Sequence, residues 1–101
     1  MKWYIWLQEE IDKAIKKRNL NEIIRYHSLF TKAFMDEHTD FSHIKELFIT
    51  AKDLEYLKEE ITKEGLDEYF DSENNNGIFI RWDEMLNNAI DQFISDKSTK
   101  T

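Results

Sequence analysis

The chain has 101 residues, of which 41% are hydrophobic and 35% charged, with a net charge of −7 and no cysteine. This length allows one domain with one core, and the apolar content disfavours an intrinsically disordered chain. The absence of cysteine excludes disulfides and thiolate metal sites, and no apolar run reaches the ~20 residues that span a bilayer. We therefore expect a cytoplasmic protein that has no membrane contact.

The chain has no proline and only two glycines, a composition that favours long helices over hairpins and loops. A first helix is predicted over about 3–18, where apolar residues recur at helical spacing. Asn19 or Asn21 can cap a second helix over about 21–37. Because the joint between them is short, these two helices are expected to form a helical hairpin.

A third helix is predicted over about 41–64, since the 3.6-residue apolar period runs through this segment without a slip. Gly65 followed by Leu66 is typical of a Schellman ending, in which glycine supplies the left-handed residue. A break at Thr50–Asp53, which has capping-box spacing, is the alternative.

The last predicted helix covers about 83–94 and follows an Asn-rich loop. A short β-hairpin around 66–82 is an alternative for the segment before it, and 96–101 is predicted to be a frayed polar tail. The predicted fold is thus all-α, a four-helix antiparallel bundle-like single domain over 1–95.

The negative charge is concentrated in residues 53–73, where nine acids face only two lysines. On a regular helix, Glu59 and Lys63 would form a favourable i,i+4 pair. Acids in the predicted loop have no basic neighbour in sequence, and Glu60 and Glu64 lie beside them on the helix edge. The candidate partner-binding carboxylates are therefore Asp67, Glu68, Asp71, Glu73, Glu60 and Glu64.

The N-terminal run from Trp3 to Leu7 is apolar throughout, so one neighbouring helix cannot bury all of it. Trp3 and Trp6 are consequently candidates for a partner or homodimer anchor, because tryptophan is common at binding hot spots.

The Asn-rich loop resembles a degenerate calcium loop of the EF-hand type, because Ser72, Asn74 and Asn76 precede Gly77 at alternate positions. Asp83 would be the twelfth residue, where such a loop needs a bidentate Glu. A weak divalent-metal site at 72–84 is the second alternative, and an Asn-rich turn is the simpler interpretation. His27, His38 and His43 lack metal-ligand spacing, and His27 is expected in the core. We assign no metal ligand.

No catalytic residue and no cofactor are assigned, because the chain lacks nucleophile motifs and glycine-rich phosphate loops. Lys13, Lys16, Lys17 and Arg18 form a small basic end, which is too little for a nucleic-acid surface beside eight acids in the same half.

The predicted function is that of a small acidic interaction module and not an enzyme. It would dock segment 53–73 on a basic protein surface, as immunity, anti-restriction or phage inhibitor proteins do. A structural or homo-oligomeric helical protein with a merely solvated acidic face is the alternative. Richness in Lys, Asn and Ile weakly favours a bacterial or phage source.

Overall fold

The computed structural model describes residues 2–73 and 81–98, and this part of the chain is all-α, as predicted. Its six helices have the following bounds: α1 Trp3–Lys17, α2 Tyr26–Leu29, α3 Lys32–His38, α4 Ile44–Asp53, α5 Lys63–Glu73 and α6 Trp82–Ser98. Helix α1 packs on α2 and α4, while α6 packs on α2 and α5. The radius of gyration is 13.4 Å, close to the ~13 Å of a compact chain of this length.

Helix α1 follows the predicted range to within one residue because its apolar spacing matches its buried face. Leu7, Ile11 and Ile15 are buried at intervals of four residues. The helix ends in a Schellman motif, in which Asn19 takes a φ of 57° and the Leu20 N–H donates to the Ile15 carbonyl at 3.1 Å. Asparagine tolerates this left-handed conformation better than most residues do.

The predicted second helix over 21–37 is wrong, because the chain from Leu20 to Arg25 is not helical and α2 and α3 are separate. The side chain of Gln8 accounts for the first departure. Its Nε2 donates to the Ile24 carbonyl at 2.8 Å, and its Oε1 accepts from the Tyr26 N–H at 3.1 Å. At the second break, Thr31 caps α3 by accepting the Phe34 N–H at 3.2 Å.

The predicted helix over 41–64 is also wrong at both ends. Helix α4 begins after His43, whose Nδ1 accepts the Lys45 N–H at 3.0 Å. It ends in a second Schellman motif at Glu55, where φ is 68° and the Tyr56 N–H donates to the Ala51 carbonyl at 2.9 Å. Residues 54–62 then form an irregular connection that packs Leu57 into the core.

Gly65 lies inside α5 and does not end a helix, contrary to the prediction. Helix α5 starts after Thr62, whose Oγ1 accepts the Gly65 N–H at 3.0 Å. Gly65 is buried, and a Cβ placed on it would lie 2.6 Å from the Tyr56 carbonyl oxygen and 3.0 Å from Leu57 Cδ2. Glycine is therefore required here for the close approach of the 54–62 connection.

The remaining predictions for the C-terminal part have mixed outcomes. Residues 66–70, proposed as one strand of a hairpin, are helical, and residues 74–80 lie outside the described part. Helix α6 continues to Ser98, so the predicted frayed tail does not begin at 96, and 99–101 are also outside the described residues. Six helices therefore replace the predicted four within the described chain.

The core is centred on Trp82, which is fully buried at the start of α6. Its ring centroid lies 5.4 Å from that of Trp6, 6.1 Å from that of Phe30 and 6.0 Å from that of Phe48. These distances are typical of aromatic pairs, each of which adds about 0.5–1.5 kcal/mol beyond area burial. The Trp82 indole is therefore the point at which α1, α4 and α6 meet, together with Phe30, which follows α2.

Gly65→Ala tests the close approach of the connection to α5. An exposed helical Gly→Ala change usually stabilises by about 1 kcal/mol. Here the added methyl group must displace backbone, so we expect a loss of about 1–3 kcal/mol of unfolding free energy in urea titrations. Glu64→Ala, an exposed neighbour, should change it by less than about 0.5 kcal/mol. A Gly65→Ala protein as stable as wild type would contradict this packing.

Candidate functional site

The acids of segment 53–73 lie at the end of α4, in the 54–62 connection and on α5. Seven of them are exposed and form no ion pair or side-chain hydrogen bond within residues 2–73 and 81–98. We call these seven the acidic surface: Asp53, Glu55, Glu59, Glu60, Glu64, Glu68 and Asp71. Of the predicted partner-binding carboxylates, this set includes Glu60, Glu64, Glu68 and Asp71.

The predicted pair between Glu59 and Lys63 is absent, because these residues do not share one helix. Lys63 Nζ instead lies 3.5 Å from Glu10 Oε1 and 3.5 Å from Asp83 Oδ1. Glu59 therefore forms no ion pair within the described chain, and the acidic surface is less neutralised than the helical prediction implied.

The candidates expected in a loop lie on α5, which gives three acids a fixed geometry. Glu64, Glu68 and Asp71 follow at i, i+4 and i+7, a spacing that places them on one face of the helix. All three are exposed, whereas Leu66 and Tyr69 are buried on the other side. The side chain of Glu73 lies outside the described part.

Asp67 has a structural role that its sequence position did not indicate. Its Oδ1 accepts the backbone N–H of Trp82 at 2.8 Å, so a carboxylate of α5 caps the first turn of α6. A negative charge at a helix N-terminus is favourable, and the bond satisfies a donor that has no partner inside the helix. Asp67 therefore belongs to the scaffold that holds α5 against α6.

Trp3 and Trp6 pack inward and are only partly exposed, so the predicted anchor role does not suit them. The Trp3 ring stacks on Phe48 at 5.8 Å and lies 5.3 Å from Tyr26. The side chains that α1 leaves exposed at this end are Tyr4 (44%) and Ile5 (46%). The rings of Trp3 and Trp6 thus extend the core.

Glu10 is the buried charge that the sequence interpretation missed. It is 6% exposed, and its two carboxylate oxygens lie 3.5 Å from Lys13 Nζ and 3.5 Å from Lys63 Nζ. A signal was available, since Glu10 continues the helical spacing of Trp3 and Leu7 on the buried face of α1. A carboxylate in an apolar stripe needs a cation, because an unpaired buried charge is costly.

Lys63 is held in its charged form by its two carboxylate neighbours. Partial burial by itself would lower the pKa of Lys63, but the carboxylates of Glu10 and Asp83 outweigh this and raise the pKa above its ordinary value of 10.5. A raised pKa means that these contacts stabilise the folded chain below that value. Their contribution is lost only as the pH rises through the folded pKa.

The histidines lie apart and do not form a metal site. His27 is exposed, against the prediction, His38 Nε2 lies 3.3 Å from Gln92 Oε1, and His43 caps α4. No group of three metal-ligating side chains occurs within 2–73 and 81–98. The calcium-loop candidates Asn74 and Asn76 fall outside the described residues, and Asp83 is paired with Lys63.

Comparison of the chain with models of known families, with curated proteins and with solved structures finds no match. Within the described residues, no helix has both the length and the apolar character that crossing a membrane requires.

Asp67→Ala distinguishes a structural carboxylate from a partner-binding one. Loss of the cap on Trp82 should lower the unfolding free energy by about 1–2 kcal/mol, whereas Asp67→Asn keeps an acceptor oxygen and should retain most of it. Glu68→Ala is the matched control on the same helix and should change it by less than about 0.5 kcal/mol. Urea denaturation measures all three variants. Equal stability of Asp67→Ala and Glu68→Ala would show that the cap does not matter.

Proposed function

We propose that this chain is a binding protein whose acidic surface docks on a basic surface of a protein partner. The observation that carries the proposal is that seven exposed carboxylates in one segment form no ion pair within the described chain. Of the two lysines in this segment, Lys63 is turned to Glu10 and Asp83. Lys58 is exposed and forms no ion pair with the acidic surface.

Glu64 is favourably placed in the first turn of α5, but two other features of these acids are unfavourable for the helix. Like charges at i and i+4, such as Glu64 and Glu68, repel each other and destabilise a helix by about 0.2–0.5 kcal/mol. Acids in the last turn also oppose the helix dipole, and α5 has no basic residue there. Helix stability therefore does not explain this charge pattern, whereas complementarity to a basic partner does.

The geometry suits charge-steered docking. The outward face of α5 presents three carboxylates from a helix anchored by Gly65 and Asp67, and the 54–62 connection adds Glu55, Glu59 and Glu60. Such a field raises the association rate and acts over roughly 8 Å at physiological ionic strength. The bound state would consist of carboxylates facing lysine and arginine groups, which favours specificity and rapid encounter over dry apolar burial.

Inhibition by occlusion is the form of activity that this surface supports best. A partner whose basic surface is a nucleic-acid groove would lose access to that groove when the acidic surface covers it. This extension rests on charge and size alone, as in the immunity or anti-restriction proteins considered from the sequence.

The test compares two triple variants with equal changes of charge. One variant carries Glu64→Gln, Glu68→Gln and Asp71→Asn on the acidic surface. The control carries Glu9→Gln, Glu46→Gln and Glu84→Gln, which are exposed, unpaired acids elsewhere in the described chain. Partners captured from a lysate of the source cells are identified, and association rates with each purified variant are measured at low and high ionic strength.

We expect the acidic-surface variant to associate at least about tenfold more slowly at low ionic strength, with a smaller difference at high ionic strength. The control variant should stay within about twofold of wild type, because its acids lie outside the acidic surface. Equal rates for wild type and the acidic-surface variant would reject the proposal.

A further inference from the structure

A second surface of this acidic protein has the opposite charge. A cleft of about 710 Å³ runs between α1 and the first turns of α6, with the start of α5 at its edge. This volume is within the range of small-molecule sites. The cleft shares none of its lining residues with the acidic surface.

Basic side chains dominate the lining of this cleft. Five bases stand against two acids of the lining, Glu10 and Asp83, and Asp91 pairs with Arg18 from beside the cleft, which leaves a surplus of two positive charges in a chain whose net charge is −7. The five bases are Lys13, Lys16, Lys17, Arg18 and Lys63. A concave wall with an excess of one sign of charge attracts ligands of the opposite sign.

The bases of the cleft differ in what holds them. Lys13 and Lys63 are both placed by the buried carboxylate of Glu10, at 3.5 Å each. Arg18 is oriented by Asp91, with its Nη1 2.6 Å from Asp91 Oδ1. These three cations are thus paired with carboxylates of the chain, and the surplus charge of the cleft lies on its other two lysines.

Lys16 and Lys17 supply charge that the described chain leaves unused. Neither ammonium group forms an ion pair or hydrogen bond within residues 2–73 and 81–98. Both are exposed and both line the cleft. They are therefore the groups most available to an anion.

The lining also includes apolar surface. Ala14 on α1 and Leu86 on α6 face the cleft between its charged groups. A purely inorganic ion would leave these side chains uncovered, whereas an organic ligand can place a carbon skeleton or ring against them. Apolar walls with a few convergent polar groups are the usual composition of a small-molecule site.

We propose that this cleft binds a small organic phosphate, with its phosphate groups near Lys16 and Lys17 and its organic part against Ala14 and Leu86. Phosphate oxygens accept several hydrogen bonds from ammonium groups and carry more than one charge. The inference stands independently of the proposed function, because it uses a different set of side chains.

The experiment titrates the full chain with ATP as the organic probe, and with inorganic triphosphate and a single-stranded oligonucleotide as comparisons, at constant ionic strength. Calorimetry gives the affinities, and backbone amide NMR shifts at Ala14, Leu86 and Asn87 locate the site. We expect saturable ATP binding, tighter than that of inorganic triphosphate, with the largest shifts at these three residues.

Lys16→Gln with Lys17→Gln should weaken ATP binding by about tenfold, because two charge-assisted contacts are lost from a solvent-exposed site. Lys45→Gln with Lys52→Gln is the matched control, since these exposed lysines of α4 lie outside the cleft, and its affinity should equal that of wild type. Any of three results would overturn the proposal: no saturable binding, equal weakening by both double variants, or tighter binding of the oligonucleotide than of ATP. Equal affinities for ATP and inorganic triphosphate would overturn the proposal that the ligand is an organic phosphate.

Discussion

The structure depends on how Trp82 is held at the start of α6. Its indole ring lies among Trp6, Phe30 and Phe48, and its backbone N–H donates to Asp67 on α5. A buried tryptophan removes 150–250 Å² from water, roughly the largest contribution that one residue can make to a core of this size. The indole Nε1 has no hydrogen-bond acceptor within the described residues.

This arrangement determines what α5 can present to solvent. Asp67 ties the middle of α5 to α6, and Gly65 lets the 54–62 connection lie directly on its first turn. Leu66 and Tyr69 then face the core, so Glu64, Glu68 and Asp71 face outward. The acidic surface is therefore carried by a helix with a fixed orientation. The same packing brings Lys63 to Glu10 and Asp83, and so connects the scaffold to the edge of the basic cleft.

Helices α1 and α6 could be predicted because their buried residues recur with an uninterrupted 3.6-residue period and because each is long. The failures have non-local causes. Gln8, which binds the backbone around Ile24 and Tyr26, acts from another helix, and no local pattern near residue 24 signals it. The apolar period over 41–64 continues past the end of α4 because Leu57, which lies in the irregular 54–62 connection, is also buried. The left-handed residue after α4 is Glu55, where glycine is usual, so the sequence lacks the glycine that normally indicates a helix end.

The candidate site was predictable in its composition but not in the role of each residue. Charge counting located the acidic segment, yet Asp67 and Glu68, adjacent and similar in sequence, have different roles because only one faces the start of α6. The sequence does not distinguish Trp3 and Trp6 from surface anchors, because the residues that cover them, Phe48 and Trp82, are distant in the chain. The basic cleft brings residues of α1, α5 and α6 together, so it exists only in the folded chain.

Native-state hydrogen exchange at the Trp82 amide tests the central claim, that the Trp82–Asp67 contact is the anchor of the fold. This amide is buried and bonded to a carboxylate, so it should exchange only when the whole chain unfolds. Its opening free energy is then predicted to equal the global unfolding free energy from denaturant titration. An opening free energy near zero, as for amides of an exposed connection, would contradict the account.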